Sequence, residues 1–163
     1  MKKLLGILLL TISTLFCFGQ NNLQTTKANK NSFPTNLDGK NFGKLKKFNG
    51  KIVAYDGIIE NIETSRNNTP FYKIKIENED YLWTVLMFNN DANKIGDTIR
   101  VVGYLRPIPN KSEINNIERS YLDGKFMVIA FGLVDFKNSN FLFLSGANEQ
   151  KQEWINGKIP SAK

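Results

Sequence analysis

The sequence predicts an all-β protein, a small five-stranded Greek-key barrel with a short C-terminal helix. Three observations indicate this fold. Alternating apolar segments separated by turn residues fill residues 49–106. The first of these segments carries Gly57 near its centre, as expected where a barrel strand bends. A further apolar segment covers residues 125–136. The chain has 163 residues, of which 41% are hydrophobic, so one domain with its own core is expected.

Residues 1–19 have the features of a secretory signal peptide. Two lysines precede an apolar run from Leu4 to Phe18, and small residues precede Gln20 where a signal peptidase would cleave. We therefore expect a protein exported to the periplasm or the extracellular space. The alternative is an uncleaved segment, which would be the chain's only contact with the membrane. An apolar run of about 15 residues is short for a bilayer span.

The residue types left after cleavage exclude several kinds of chemistry. The chain has no histidine, and its one cysteine, Cys17, lies in the predicted signal peptide. A mature chain without Cys or His can form neither a Ser-His-Asp triad nor a Cys/His zinc site. We predict no metal and no cofactor.

The positive charge is confined to the N-terminal region. Residues 20–51 contain seven lysines and one aspartate, whereas residues 52–163 contain 13 basic and 14 acidic residues. Residues 20–45 are polar and lack periodicity, which predicts a flexible, basic linker. An alternative role for this linker is to contact an anionic partner. The predicted barrel domain then spans residues 46–144, followed by a helix and tail at 145–163.

The second and third strands are predicted at 71–77 and 81–88, joined by a turn at 78–80. This turn would pair Lys75 with Trp83, Lys73 with Val85 and Phe71 with Met87. The lysines should face water, which leaves Tyr81 and Trp83 exposed beside them. The opposite face should form the core and consists of Tyr72, Ile74, Ile76, Leu82, Thr84, Leu86 and Phe88. A turn one residue longer or shorter would bury Trp83 instead.

The remaining elements follow from alternation and turn chemistry. After Gly96-Asp97, a fourth strand places Ile99, Val101 and Leu105 on one face, and Pro107 ends it. Residues 113–120 form either a short helix or a loop. Gly132 is a second candidate bend, and a brief strand covers 141–144. A helix is predicted over 147–156, with Ser145 as its N-cap and Trp154 docking it on the barrel.

Two groups of residues resemble the OB-fold, in particular exported bacterial OB domains of the tRNA-anticodon type found in Bacteroidetes. The similarity covers roughly residues 48–137. It is carried by Gly50, Lys51, Val53, Gly57 and Ile59 in the first strand and by Gly96, Asp97, Ile99, Val101, Gly103 and Leu105 in the fourth. The resemblance implies ligand binding on the face of strands two and three and on flanking loops, with nucleic acid, oligosaccharide or protein as ligand.

A non-catalytic binding module is the function that these observations favour. Exposed aromatic rings beside cations can stack on bases or sugars, while Lys and Arg bind phosphates or carboxylates. The candidate ligand-binding residues are Arg66, Phe71, Lys73, Lys75, Tyr81, Trp83, Arg100, Tyr104 and Arg106. Single-stranded nucleic acid, a glycan and an envelope protein are the candidate partners.

Two other functions are weighed against binding of a polymer. A protein that serves structure or protein–protein contacts in the envelope would show an apolar patch around Trp83, Val85 and Met87. An enzyme would need a pair of acid and base groups. Carboxylates such as Asp56 and Asp97 adjoin glycines, and turn and bend chemistry explains both positions. We therefore predict no catalytic residues.

Overall fold

The computed structural model describes residues 24–27, 32–77, 80–110 and 116–161. The predicted signal peptide lies outside the described residues. The strands are β1 (Gln24–Lys27), β2 (Ile52–Thr64), β3 (Pro70–Glu77), β4 (Asp80–Leu86), β5 (Thr98–Pro107), β6 (Phe126–Asp135) and β7 (Asn140–Phe143). The helices are a 3₁₀ segment (Phe42–Phe48), α1 (Asn116–Tyr121) and α2 (Asn148–Ile155).

Five of the strands close into a barrel. Strands β2, β3 and β4 form an antiparallel meander, and β5 pairs with both β2 and β6. The parallel pairing of β6 with β4 completes the closure. This is an OB-like connectivity, and it confirms the predicted five-stranded barrel with a short C-terminal helix. Strand β7 extends the sheet from β6, and β1 pairs with β7 at its edge.

The barrel interior is filled by alternate side chains of all five strands. The predicted core face of β3 and β4 is confirmed, because Tyr72, Ile74, Leu82 and Leu86 are buried there. Tyr55 and Thr84, both fully buried, satisfy each other through a hydrogen bond between their hydroxyl groups.

Gly57 marks the place where β2 bends between its two neighbours. A Cβ at this position would lie 2.3 Å from Cγ2 of Ile74 and 2.4 Å from the carbonyl oxygen of Lys75. Only glycine allows the backbone of β3 to approach so closely. A bulge follows between Ile59 and Asn61. At the second predicted bend, β6 has a register irregularity between Ala130 and Gly132, opposite Val102 and Gly103.

A second apolar core lies outside the barrel, against β2, β5 and β6. Its buried residues are Phe33, Ile52, Ala54, Val102, Phe131, Val134, Phe141, Phe143 and Trp154. The indole Nε1 of Trp154 donates to the carbonyl oxygen of Pro34 over 2.9 Å, which confirms that this tryptophan docks α2. We call this covered surface the apolar outer face.

The prediction of a flexible linker over residues 20–45 is wrong around Phe33 and Leu37. Phe33 is 3% exposed and Leu37 is 2% exposed. The backbone amides of Asn36 and Leu37 both donate to the carbonyl oxygen of Ala54. The segment has too few apolar residues to show periodicity. Leu37 nevertheless packs in the barrel core, and Phe33 packs in the apolar outer face. The predicted N-cap is also wrong, since α2 is capped by Ala147 without a side-chain hydrogen bond.

The β3–β4 hairpin has a register that differs from the predicted one by two residues. The observed pairs are Lys75 with Tyr81, Lys73 with Trp83 and Phe71 with Val85. Asp80 belongs to β4 rather than to the turn, and the ladder is irregular between Lys75 and Glu77. Because a shift of two residues keeps every side chain on its face, the predicted pairs are wrong while the predicted faces hold.

Candidate functional site

The outward side of β3 and β4 brings five of the predicted site residues together. Phe71, Lys73 and Lys75 alternate along β3, and Tyr81 and Trp83 lie opposite the two lysines on β4. Strand alternation places them side by side, since residues two apart share a face. We call this surface the polar outer face.

Trp83 is nevertheless buried, with 2% of its surface exposed, so the expectation that it faces water is wrong. The cause is not a register slip, which would have turned the residue into the barrel. The segment between β5 and β6 covers it instead: the ring of Tyr121 lies 5.4 Å from that of Trp83. The same tyrosine ring covers Phe71, at 5.7 Å.

Asp123 is the acceptor for three donors of the polar outer face. Its Oδ1 accepts from Nε1 of Trp83 over 2.5 Å, and its Oδ2 accepts from the hydroxyl of Tyr81 over 2.9 Å. The ammonium of Lys73 lies 3.3 Å from the same Oδ2 and 3.7 Å from the centre of the Tyr81 ring. The carboxylate thus links a cation–π pair to an indole.

These contacts shift two pKa values in opposite directions. Burial raises the pKa of Asp123, but the hydrogen bonds from Trp83, Tyr81 and Lys73 and the charge of Lys73 together lower it below its usual value. The pKa of Tyr81 is raised, chiefly because its hydroxyl donates to Asp123 and secondly because it is partly buried. At neutral pH the cluster therefore holds an ionised carboxylate and a neutral phenol.

A groove of about 600 Å³ opens beside this cluster. One wall is the 3₁₀ segment and the other is formed by the start of β4 and residues 123–126. Tyr81 and Asp123 belong to both the groove and the cluster. The remaining lining comprises Phe42, Gly43, Lys44, Leu45, Lys46, Lys47, Asp80, Leu82, Gly124, Lys125 and Phe126.

The sequence of the 3₁₀ segment explains the wall that it forms. Phe42, Leu45 and Phe48 recur at every third residue, and all three pack against the barrel core, with a kink in the helical backbone at Lys44. The lysines between them are held outward: Lys44, Lys46 and Lys47 are exposed, as is Lys125 across the groove. Within the described residues, none of these four ammonium groups forms an ion pair.

Two other predicted site residues, Arg100 and Tyr104, belong to β5 and do not line the groove. In a five-stranded barrel, β5 neighbours β2 and β6 and so lies across from the β3–β4 pair. Arg100 forms a bidentate ion pair with Asp56 and also donates to the carbonyl oxygen of Phe33. Tyr104 packs on Phe131 at 5.4 Å, which places both on the apolar outer face.

The two remaining arginines are exposed, and Lys75 is held by an ion pair. Arg66 is exposed in the β2–β3 turn, and Arg106 is exposed at the end of β5. Lys75 lies 3.8 Å from the carboxylate of Glu60 on the neighbouring strand. The structure therefore does not bring the nine predicted residues into one site.

Several residues of the groove were missed from the sequence. Asp123 lies in a stretch without periodicity, where nothing marks one carboxylate above another. Of the lysines of the 3₁₀ segment, Lys44 was predicted to lie in the basic linker, whereas Lys46 and Lys47 were predicted to lie at the start of the barrel domain. The three-residue repeat of Phe42, Leu45 and Phe48 is the signal that would have fixed their position.

The described residues contain neither a candidate metal site nor a candidate membrane-spanning helix. No group of three or more His, Cys, Asp and Glu residues in the described ranges could hold a metal ion. Among these same residues, no helix has the length and hydrophobicity needed to cross a membrane.

Comparisons with known proteins give similarity to solved structures but no match in sequence. No protein-family model matches the chain, and no curated protein matches it. Among solved structures, the chain is similar to an aspartyl tRNA synthetase from Entamoeba histolytica, with a TM-score of 0.45 and 8% sequence identity. The alignment covers 64% of this chain and 21% of the synthetase.

Proposed function

We propose that the chain is an exported, non-catalytic binding module of the OB-fold type, and that its groove holds a linear acidic ligand. Single-stranded nucleic acid is the first candidate. One observation carries the proposal: four exposed lysines without ion-pair partners in the described structure surround a groove that also contains Phe42, Tyr81 and Phe126. A basic groove with aromatic rings is the arrangement that binds a phosphate backbone and stacks bases.

The charges of the groove support an anionic ligand over a neutral one. Four lysines line it against two aspartates, and one of these, Asp123, is already neutralised by Lys73. Recognition of a neutral sugar would rely on amide and carboxylate groups rather than on ammonium groups. An acidic glycan would meet the same lysines, so the test below separates it from nucleic acid.

A protein partner is less well supported. The apolar patch that would favour it, around Trp83, Val85 and Met87, is incomplete because Trp83 is covered by Tyr121 and Asp123. Met87 remains 44% exposed. Export rests on the sequence of residues 1–19, and the proposal that the chain is not an enzyme rests on its carboxylates, whose spacing in the sequence does not form an acid–base pair.

The test is binding of a fluorescein-labelled deoxythymidine oligonucleotide of about 12 nucleotides, followed by fluorescence anisotropy at several salt concentrations. The double variant K46Q/K47Q removes two groove charges. Its matched control, K94Q/K158Q, removes two exposed charges outside the groove lining.

We expect the groove variant to bind about tenfold more weakly at low salt and its salt dependence to flatten by about 1.4 in the log–log slope. The control variant should stay within about twofold of the wild type. An acidic glycan that competes with the oligonucleotide at equal charge would identify a general polyanion groove. Equal losses in both variants would contradict the proposal.

A further inference from the structure

The polar outer face contains three hydrogen-bond donors that converge on one point. Trp83 Nε1, the Tyr81 hydroxyl and the Lys73 ammonium come from adjacent positions of two paired strands. Lys73 and Tyr81 donate to Oδ2 of Asp123, and Trp83 donates to its Oδ1. Such an arrangement is complementary to any group that presents two oxygens and a negative charge.

The donors and their acceptor differ in how firmly they are held. Trp83 is buried and Lys73 is largely covered, and both belong to regular strands in the centre of the hairpin. The side chain of Asp123 is 51% exposed and belongs to the segment that connects α1 to β6. Gly124 beside it has a φ of +91° and nothing within 4 Å of its Cβ position. The acceptor therefore lies on an irregular segment and is half exposed, whereas the three donors lie on paired strands.

The convergence point opens into the lysine-lined groove, since Tyr81 and Asp123 line both. A ligand lying along the lysines would reach the three donors at the end of the groove. The carboxylate of Asp123 occupies the convergence point and carries the same sign of charge as the ligand.

We propose that Lys73, Tyr81 and Trp83 form a subsite for one acidic group of the ligand, a phosphate or a carboxylate, and that Asp123 occupies this subsite until the ligand replaces it. This inference rests on the proposed function and defines how the groove is regulated. It identifies Asp123 as an internal competitor and Trp83 as a donor to the ligand. No covalent bond is made or broken, because one hydrogen-bond acceptor replaces another.

The test compares D123A with D80A, a second groove variant that removes the same charge. Within the described residues, the carboxylate of Asp80 does not bond to the three donors. Both substitutions are made in a W154F background, so that Trp83 is the chain's one tryptophan. The probes are inorganic phosphate and the labelled oligonucleotide. D123N, which keeps an acceptor oxygen for Trp83, serves if D123A fails to fold.

We expect D123A to bind both probes about tenfold more tightly than D80A, with a change in Trp83 emission on phosphate binding. D123N should fall between the two. If D123A and D80A bind alike, Asp123 is only structural and the inference is overturned. That result leaves the proposed function standing where K46Q/K47Q still weakens oligonucleotide binding. If phosphate binds D123A but the oligonucleotide binds no variant, the subsite is supported and nucleic acid is excluded as the ligand.

Discussion

The barrel buries one tryptophan on each of two outer faces, and the two faces cover it with different chemistry. Trp154 lies among Phe33, Phe141 and other apolar side chains, and its indole donates to the backbone carbonyl of Pro34. Trp83 lies under one tyrosine ring and a half-exposed carboxylate. Both indoles are hidden from solvent, but only the indole of Trp83 donates to a charged group.

We therefore expect the apolar outer face to contribute mainly to stability and the polar outer face mainly to ligand binding. Removing the apolar cover exposes a core, whereas moving the Asp123 carboxylate exchanges one set of hydrogen bonds for another, a nearly balanced change. The apolar contact between α2 and the barrel is expected to stay closed and to stabilise the fold. A charged cover that can be replaced by another anion suits a binding site.

The largest expected effect is on the apolar outer face. Trp154→Ala leaves a cavity between α2 and the barrel, and we expect the free energy of unfolding to fall by about 3–5 kcal/mol, measured by urea denaturation. The milder Trp154→Phe should leave oligonucleotide affinity within about twofold of the wild type. A tenfold loss of affinity in Trp154→Phe would show that this face also takes part in binding.

A smaller effect is expected from Asp123, and it depends on pH. Because its pKa is lower in the folded protein than in the unfolded chain, its contribution to stability is present above about pH 4 and is lost as the pH falls through the folded value. Asp123→Asn should therefore be less stable than the wild type at neutral pH, by no more than about 1 kcal/mol, since the carboxylate is half exposed. Thermal unfolding at a series of pH values should show this gap closing in acid. A gap that stays constant would contradict the assigned hydrogen bonds.

The last comparison is between Tyr121, which covers the polar outer face from α1, and Tyr81, which belongs to that face. The hydroxyl of Tyr121 is buried and has no hydrogen-bond partner among the described residues, and burial, with the nearby charges of Glu118 and Glu63, raises its pKa to about 12. Tyr121→Phe should leave the free energy of unfolding unchanged or raise it by up to about 1 kcal/mol. Its matched control, Tyr81→Phe, loses a bond to Asp123 and should be destabilised by about 0.5–1.5 kcal/mol. Thermal denaturation of the pair decides, and a destabilised Tyr121→Phe would mean that the hydroxyl has a partner.

Alternation and glycine placement predicted the barrel, because both report directly on backbone geometry. Gly57 and the alternation of β3 and β4 gave the bend and the core face even though the register was two residues off. The cover of Trp83 could not be predicted in this way. It depends on where an irregular segment folds back, and one tyrosine and one aspartate in that segment carry no periodic signal. The groove was missed for a similar reason, since Lys44, Lys46 and Lys47 straddle the predicted boundary between linker and barrel and Asp123 carries no periodic signal.

The claim that the ligand binds at the polar outer face and not at the apolar outer face can be tested with Trp83 and Trp154 as fluorescence reporters. Trp154→Phe leaves Trp83 as the only reporter, and Trp83→Phe leaves Trp154. Each single-tryptophan protein is titrated with the oligonucleotide while indole emission is recorded. We predict that the emission of Trp83 changes in a saturable, salt-dependent way and that the emission of Trp154 stays constant. A response from Trp154 with none from Trp83 would place the ligand on the apolar outer face and contradict the assignment of the groove.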